Sequence, residues 1–270
     1  MSQEIELCQR PDGKVIRGRI FMPEGMQKRF PTVIFCHGFG GNYKELAHHG
    51  QGFAKAGICC VMFDFCGGGP AGISDGSMLE MSVRTEHEDL VQVLETVRRK
   101  SFVDPKRLFL MGESQGGFVA ASVAEEKEKE IAGLILWYPA FVIPDDVRKV
   151  CENGIPDAYE VFGLQIGKVY ATDALSLDPY RNMASFHRPV LIIHGDQDGI
   201  VPIAYSYRAK ETYPDVRLEV IQGADHGFNG ADSVHAWELS RDFIKGMEKK
   251  GSVFSKIMNL RHLISIPGKG

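Results

Sequence analysis

The chain has 270 residues, 44% of them hydrophobic, and a formal net charge of −4. That length and apolar content suit one domain with room for an inserted cap, and the mildly acidic balance offers no basic surface for nucleic acid. Cys8, Cys36, Cys59, Cys60, Cys66 and Cys151 form no C-x-x-C pair and no Cys/His group with ligand spacing, so they read as free thiols, and no metal or other cofactor is expected.

Residues 1–9 lack the charged-then-apolar layout of a signal segment, and no apolar run is long enough to span a membrane. A cytoplasmic protein is therefore expected. Two strands come first, at 4–8 and 15–22, with period-two alternation and Pro11-Asp12-Gly13 as the turn between them. Mostly apolar runs follow at 32–36, 58–63, 108–111, 131–138, 190–193 and 216–221. Runs apolar on both faces suit a parallel sheet covered on both sides.

Helical patterns alternate with these strands at 43–56, 82–100, 115–126, 204–213 and 233–247. The first ends at Gly57, a natural C-cap. The second carries Leu90, Leu94 and Val97 on one face, with Glu86, Glu88 and Asp89 near its start and Arg98, Arg99 and Lys100 at its end. That charge order favours the helix dipole. The alternation predicts an α/β fold with an eight-stranded, mostly parallel sheet and helices on both faces.

The rhythm breaks after residue 138, where about forty residues precede the next helical pattern at 178–185, too long for an ordinary connection. Residues 141–177 are expected to form a small cap over the carboxyl ends of the strands, inserted into a core of 1–140 and 178–250. The tail, 251–270, mixes Lys256, Arg261 and Lys269 with Phe254, Ile257, Leu260 and Leu263. It reads as a short amphipathic helix that docks on the body or on a partner, with a membrane surface the less favoured alternative because the basic face is thin.

Residues 112–116 read Gly-Glu-Ser-Gln-Gly, directly after the apolar run Leu108–Met111 and before a helix. In such an elbow a strand turns sharply into a helix and presents a serine at the apex, so Ser114 is the candidate nucleophile. His226, in Gly223-Ala224-Asp225-His226-Gly227-Phe228, follows the last strand and suits a general base. The acid is expected in the preceding loop, His194-Gly195-Asp196-Gln197-Asp198. Asp198 is preferred because it reaches further toward His226, while Asp196 suits a turn cap. The order Ser, Asp, His differs from that of chymotrypsin-like and subtilisin-like proteases.

The oxyanion hole calls for two backbone donors. Gln115 N–H, at the start of the elbow helix, is one candidate, and Phe39 N–H in His37-Gly38-Phe39-Gly40-Gly41 is the other. His37 is expected to brace that loop. Asp64, Asp75 and Asp225 are expected to bond turn backbone. Trp137, Tyr138, Phe141, Tyr159 and Phe162 could line an aromatic acyl pocket, with ordinary packing an equal reading for each.

Together, H-G-F-G-G, D-F-x-G-G-G, G-E-S-Q-G-G, H-G-D-Q-D-x-x-V-P and G-A-D-H-G-F, each in its expected order, resemble the α/β-hydrolase family. Within it the chain is similar to bacterial cinnamoyl (feruloyl) esterases and their acylaminoacyl-peptidase-like relatives. The resemblance spans roughly residues 4–247. It implies the α/β-hydrolase fold and carries Ser114, Asp198, His226, Phe39 and Gln115 to the roles given above. It carries no phenolic-hydroxyl contact, because the cap residues do not align. The expected activity is that of a serine carboxylesterase on a small ester, with hydroxycinnamate esters the class the resemblance points to. A peptidase that anchors a free amine on Asp145 or Asp146 is the alternative. A non-catalytic binding protein of the same fold is the reading from another class. A small-molecule ester is the expected partner, with a homodimer left open.

Overall fold

The computed structural model describes residues 4–25 and 28–264, with side chains described as far as residue 247. The chain runs β1 (Ile5–Gln9), β2 (Val15–Phe21), β3 (Phe30–Cys36), α1 (Ala47–Lys55), β4 (Cys59–Phe63), α2 (Val83–Val97), β5 (Val103–Glu113), α3 (Ser114–Glu126), β6 (Gly133–Trp137), α4 (Ile143–Val150), β7 (Ala158–Val161), β8 (Leu164–Gly167), α5 (Lys168–Ala174), β9 (Val190–Gly195), α6 (Ala204–Thr212), β10 (Val216–Ile221) and α7 (Gly230–Ile264).

Eight strands form one sheet in the order β1-β2-β4-β3-β5-β6-β9-β10. The β1–β2 and β2–β4 pairs are antiparallel and the others parallel. This is the mostly parallel sheet that the apolar runs predict. β3, β4, β6 and β9 are buried along their whole length. Strands covered on both faces must be. Because side chains alternate across a strand, the core divides in two. Val33, Phe35, Phe109 and Met111 pack with Phe53 of α1 and with Ala236 and Ile244 of α7. Ile34, Cys36, Leu108 and Leu110 pack with Leu90 and Leu94 of α2 and Phe118 and Val119 of α3.

Several expected boundaries move for local reasons. α1 begins at Ala47 rather than at 43. Tyr43 N–H donates to Asp64 Oδ1 at 2.6 Å and Lys44 N–H to Asn42 Oδ1 at 3.0 Å. These side-chain acceptors hold 43–46 in turns instead of a helix. The helical pattern at 178–185 is only a short 3₁₀ turn, Met183–Ser185. Asp178 Oδ1 accepts Tyr180 N–H at 3.0 Å, and Pro179 follows Asp178, so an Asx turn replaces the helix start. In α2, Ser82 and Thr85 make a capping box. Glu86 and Asp89, expected to favour the helix dipole, are buried. Asp89 accepts from Arg10 at 3.0 Å and from Cys66 N–H at 2.7 Å.

Between β6 and β9 the chain inserts α4, the two-stranded β7–β8 hairpin and α5. The hairpin strands have four residues each, too few for a period-two pattern to register in the sequence. Among the described residues no helix is long and apolar enough to cross a membrane. The expected tail helix falls partly on α7, which continues without a break to Ile264. Residues 265–270 lie outside the described residues, as do the side chains on which the docking expectation rests.

Candidate active site

β5 runs straight into α3, and Ser114 stands at the junction with φ +49°. The left-handed conformation of a non-glycine residue is costly and is held by the packing around it. A Cβ at Gly112 would lie 2.2 Å from the Gly116 carbonyl oxygen, and one at Gly116 would lie 2.2 Å from that of His37. The two motif glycines are therefore what lets strand, helix and oxyanion loop close on the serine.

Ser114 Oγ lies 3.0 Å from His226 Nε2, and His226 Nδ1 lies 2.7 Å from Asp198 Oδ2. With Nδ1–H donating to the carboxylate, Nε2 is left to accept the serine proton. Asp198 is fully enclosed. Burial alone would raise its carboxyl, but bonds from His194, His226 and Val201 N–H hold it well below the usual carboxylate range. It is a fixed negative charge beside the imidazole. Asp196 points elsewhere and accepts Gly223 N–H at 2.6 Å.

His194 shares the motif of the acid, and its sequence position alone gives it no role. It is buried, with Nδ1 2.7 Å from Ser206 Oγ and Nε2 2.9 Å from the Val201 carbonyl and 3.2 Å from Asp198 Oδ2. It meets the same Asp198 oxygen as His226 does.

In the oxyanion loop, Phe65 N–H donates to His37 Nε2 at 3.1 Å, which leaves Nδ1–H to donate to the Gly38 carbonyl at 2.7 Å. Burial pushes His37 below the ordinary histidine value, so it stays neutral and braces the loop. Gly38 N–H donates to Glu113 Oε1 at 3.3 Å and Gly40 N–H to the Gly68 carbonyl at 2.9 Å. Between them, and among the described residues, Phe39 N–H has no protein partner. Gln115 N–H lies in the first turn of α3, where amides have no intrahelical acceptor. Both groups are free to bind a developing oxyanion. Asp64 accepts Tyr43 and Ile73 N–H and Asp225 accepts Gly199 and His226 N–H, so both bond loop backbone, whereas Asp75 accepts Val15 N–H of β2 and pairs with Arg17 at 2.6 Å.

Glu113, the variable residue of the elbow, has a larger part than its motif position suggests. Its second oxygen accepts the Tyr138 hydroxyl at 2.7 Å. The Tyr138 ring packs on the His226 ring with centroids 4.7 Å apart, and Tyr138 has φ +34°. One half-buried carboxyl thus ties the 37–41 loop to the residue that backs the imidazole. Burial raises its pKa, against the opposing bonds from Tyr138 and Gly38. The sequence carries a signal for it: Phe109, Met111 and Glu113 share one face of β5, so an acid ends an apolar stripe beside Ser114.

Ser114 opens on a cavity of about 110 Å³ with mostly apolar walls, among them Val142, Ile143, Val147 and Val161. Tyr159 and Phe162 line it, as do Phe39, Tyr170 and Asp146. Tyr138 and Phe141 do not. Tyr138 lies behind His226, and Phe141 is turned into the core against Phe118 and Tyr180. Tyr170, from α5, donates to Gln115 Oε1 at 2.6 Å, and Gln115 Nε2 donates to buried Glu86 Oε2 at 2.9 Å. Tyr170 and Glu86 were not singled out as site residues, since nothing local in the sequence links them to the elbow.

The family described as serine aminopeptidase, S33, matches residues 27–179. An uncharacterised protein of Mycobacterium tuberculosis is 30% identical over 202 residues, 73% of this chain and 63% of its own. Mouse monoglyceride lipase is 28% identical over 141 residues, 51% of this chain and 43% of that protein. Among solved structures, Est1E from Butyrivibrio proteoclasticus with ferulic acid bound superposes with a TM-score of 0.80 at 23% identity, covering 91% of this chain and 98% of the other. The sheet order, the elbow and the family match lead to one conclusion: the chain is a hydrolase with the α/β-hydrolase fold and belongs to the serine aminopeptidase S33 family.

Proposed function

We propose that the protein is a serine carboxylesterase acting on small esters, hydroxycinnamate esters foremost. The observation that carries this reading is the chain Ser114 Oγ–His226–Asp198, at 3.0 and 2.7 Å, opening on an apolar cavity. In this mechanism Ser114 Oγ attacks the ester carbonyl as its proton passes to His226 Nε2. The Phe39 and Gln115 amides hold the oxyanion, each contributing about 3–4 kcal/mol. His226 then protonates the leaving alcohol, and a water activated by the same imidazole frees the acid from Ser114. Residues 141–177 serve as a cap whose walls select the acyl group, through Tyr159 and Phe162. The cavity approaches the ~150 Å³ that accommodates a benzene ring, which suits an aryl or short acyl group. The likeness in fold to Est1E, which binds ferulic acid, supports the hydroxycinnamate choice. Six free thiols, four of them buried, support a reducing, cytoplasmic setting.

The test is hydrolysis of p-nitrophenyl acetate and methyl ferulate by wild type and Ser114→Ala. Loss of at least about 10⁴-fold in kcat is expected in the variant. Retained turnover would overturn the mechanism. A second reading, release of N-terminal residues from peptides, is favoured by Asp146 in the cavity wall. Lys149 pairs with Asp146 at 2.9 Å and offsets its charge, so the ester reading stands first. Aminoacyl-amides turned over faster than methyl ferulate would reverse that order.

A further inference from the structure

We infer that Phe162 is a specificity residue whose ring forms an apolar lip for the part of the acyl group extending out of the cavity, at the expense of hairpin stability. β7 and β8 are joined by two residues, Phe162 and Gly163, with φ +49° and +78°. Positive φ at both positions is a type I′ turn, whose first place strongly prefers Asn, Asp or Gly. Phenylalanine is a poor fit for that backbone. Its side chain is 71% exposed, so burial in the core does not compensate.

The position makes sense only through what the ring borders. Phe162 lines the cavity above Ser114, together with Val150 and Ile200, which are 51% and 45% exposed. These three apolar side chains carry the cavity wall out to the surface. The Phe162 ring also packs edge-on to Phe39, centroids 6.2 Å apart, and Phe39 supplies an oxyanion amide in the proposed reaction. The hairpin is seated on the same loop, since a Cβ at Gly40 would lie 2.6 Å from Leu164 Cδ1. A cavity of about 110 Å³ is smaller than the ~150 Å³ that accommodates a benzene ring. A phenylpropenoyl or medium-chain acyl group therefore extends past it and lies on this lip, whereas an acetyl group stays inside.

The inference rests on the esterase reading for the kind of ligand alone, so its test does not depend on turnover. Binding of octanoate, ferulate and acetate, the carboxylates such esters release, is measured by calorimetry on wild type and Phe162→Asn. Asparagine suits the turn, so the free variant is expected to melt about 2 °C higher. Its Kd for octanoate and ferulate, relative to that for acetate, is expected to rise about tenfold. The ratio of kcat/KM for p-nitrophenyl octanoate over acetate should fall by the same factor. Unchanged ratios, or a lower melting temperature, would overturn the proposal. Binding that depends on Phe162 in a protein that turns over no ester would refute the esterase reading and leave the lip standing.

Discussion

Ser114 and Tyr170 border the same cavity, yet they are held in different ways. Ser114 is fixed by backbone. It sits between a strand whose last residues before the turn pair on both sides and its helix, and a Cβ on either flanking glycine would clash. Tyr170 belongs to the inserted segment, which packs Val147, Ile166 and Ala171 into the core and is tied to the rest of the fold by a few side-chain bonds. Tyr170 donates to Gln115 at 2.6 Å, Ser82 to Asp173 at 2.6 Å, Arg84 to Ser176 at 3.0 Å, and Tyr205 to Asp145 at 2.6 Å. A site whose chemistry is held by sheet backbone and whose shape is held by side chains can change substrate without losing its catalytic geometry. The contrast predicts that mutations in the core act on kcat and that mutations in the insert act on selectivity and stability.

Beyond Ser114 itself, the largest effect should come from Glu113→Ala, which leaves both the Gly38 N–H and the Tyr138 hydroxyl without their acceptor. Each buried orphan costs about 1–3 kcal/mol, and displacement of the oxyanion loop should lower kcat about 10²-fold. Steady-state kinetics on p-nitrophenyl acetate would show it, and a change confined to KM would break the proposed division. Tyr170→Phe comes next. Losing the bond to Gln115 Oε1 should cost ~1–1.5 kcal/mol and lower kcat/KM for methyl ferulate up to about tenfold. Asp173→Ala cuts the latch between α5 and the start of α2. It should lower the melting temperature by about 2–4 °C, and an equal loss of kcat for acetate would argue against separate control of chemistry and shape.

The smallest effect concerns the core alone. Burial raises the Glu125 carboxyl to about 8, opposed by the Tyr213 hydroxyl that donates to it at 3.2 Å. The native state keeps this proton where the unfolded chain has released it. Stability therefore falls as pH rises from the ordinary carboxylate range and levels off above about pH 8. Glu125→Gln should flatten that slope and melt about 2 °C above wild type at pH 8. Melting curves at pH 5, 6.5 and 8 would test it, and an unchanged slope would place the pH dependence elsewhere.

The sequence by itself determined the strand order along the chain, the helices between the strands, the elbow and the order of Ser114, Asp198 and His226. These are legible because each is local: an apolar run, a glycine that a tight turn requires, or a loop following a strand. Only the tertiary structure decided which side chains meet. Glu86 and Asp89 are expected to favour the dipole of α2 and are buried, because α2 turns that face inward against the sheet and α3. Phe141 and Phe162 look alike as aromatics of the insert, yet one packs into the core and the other stands at the cavity mouth. The β7–β8 hairpin, the bond from Tyr170 to the elbow glutamine, and the reach of Glu113 to the oxyanion loop join residues distant in sequence or in separate loops. Local periodicity carries no trace of such pairings, because the free energy that selects them comes from burial and hydrogen bonding across the fold.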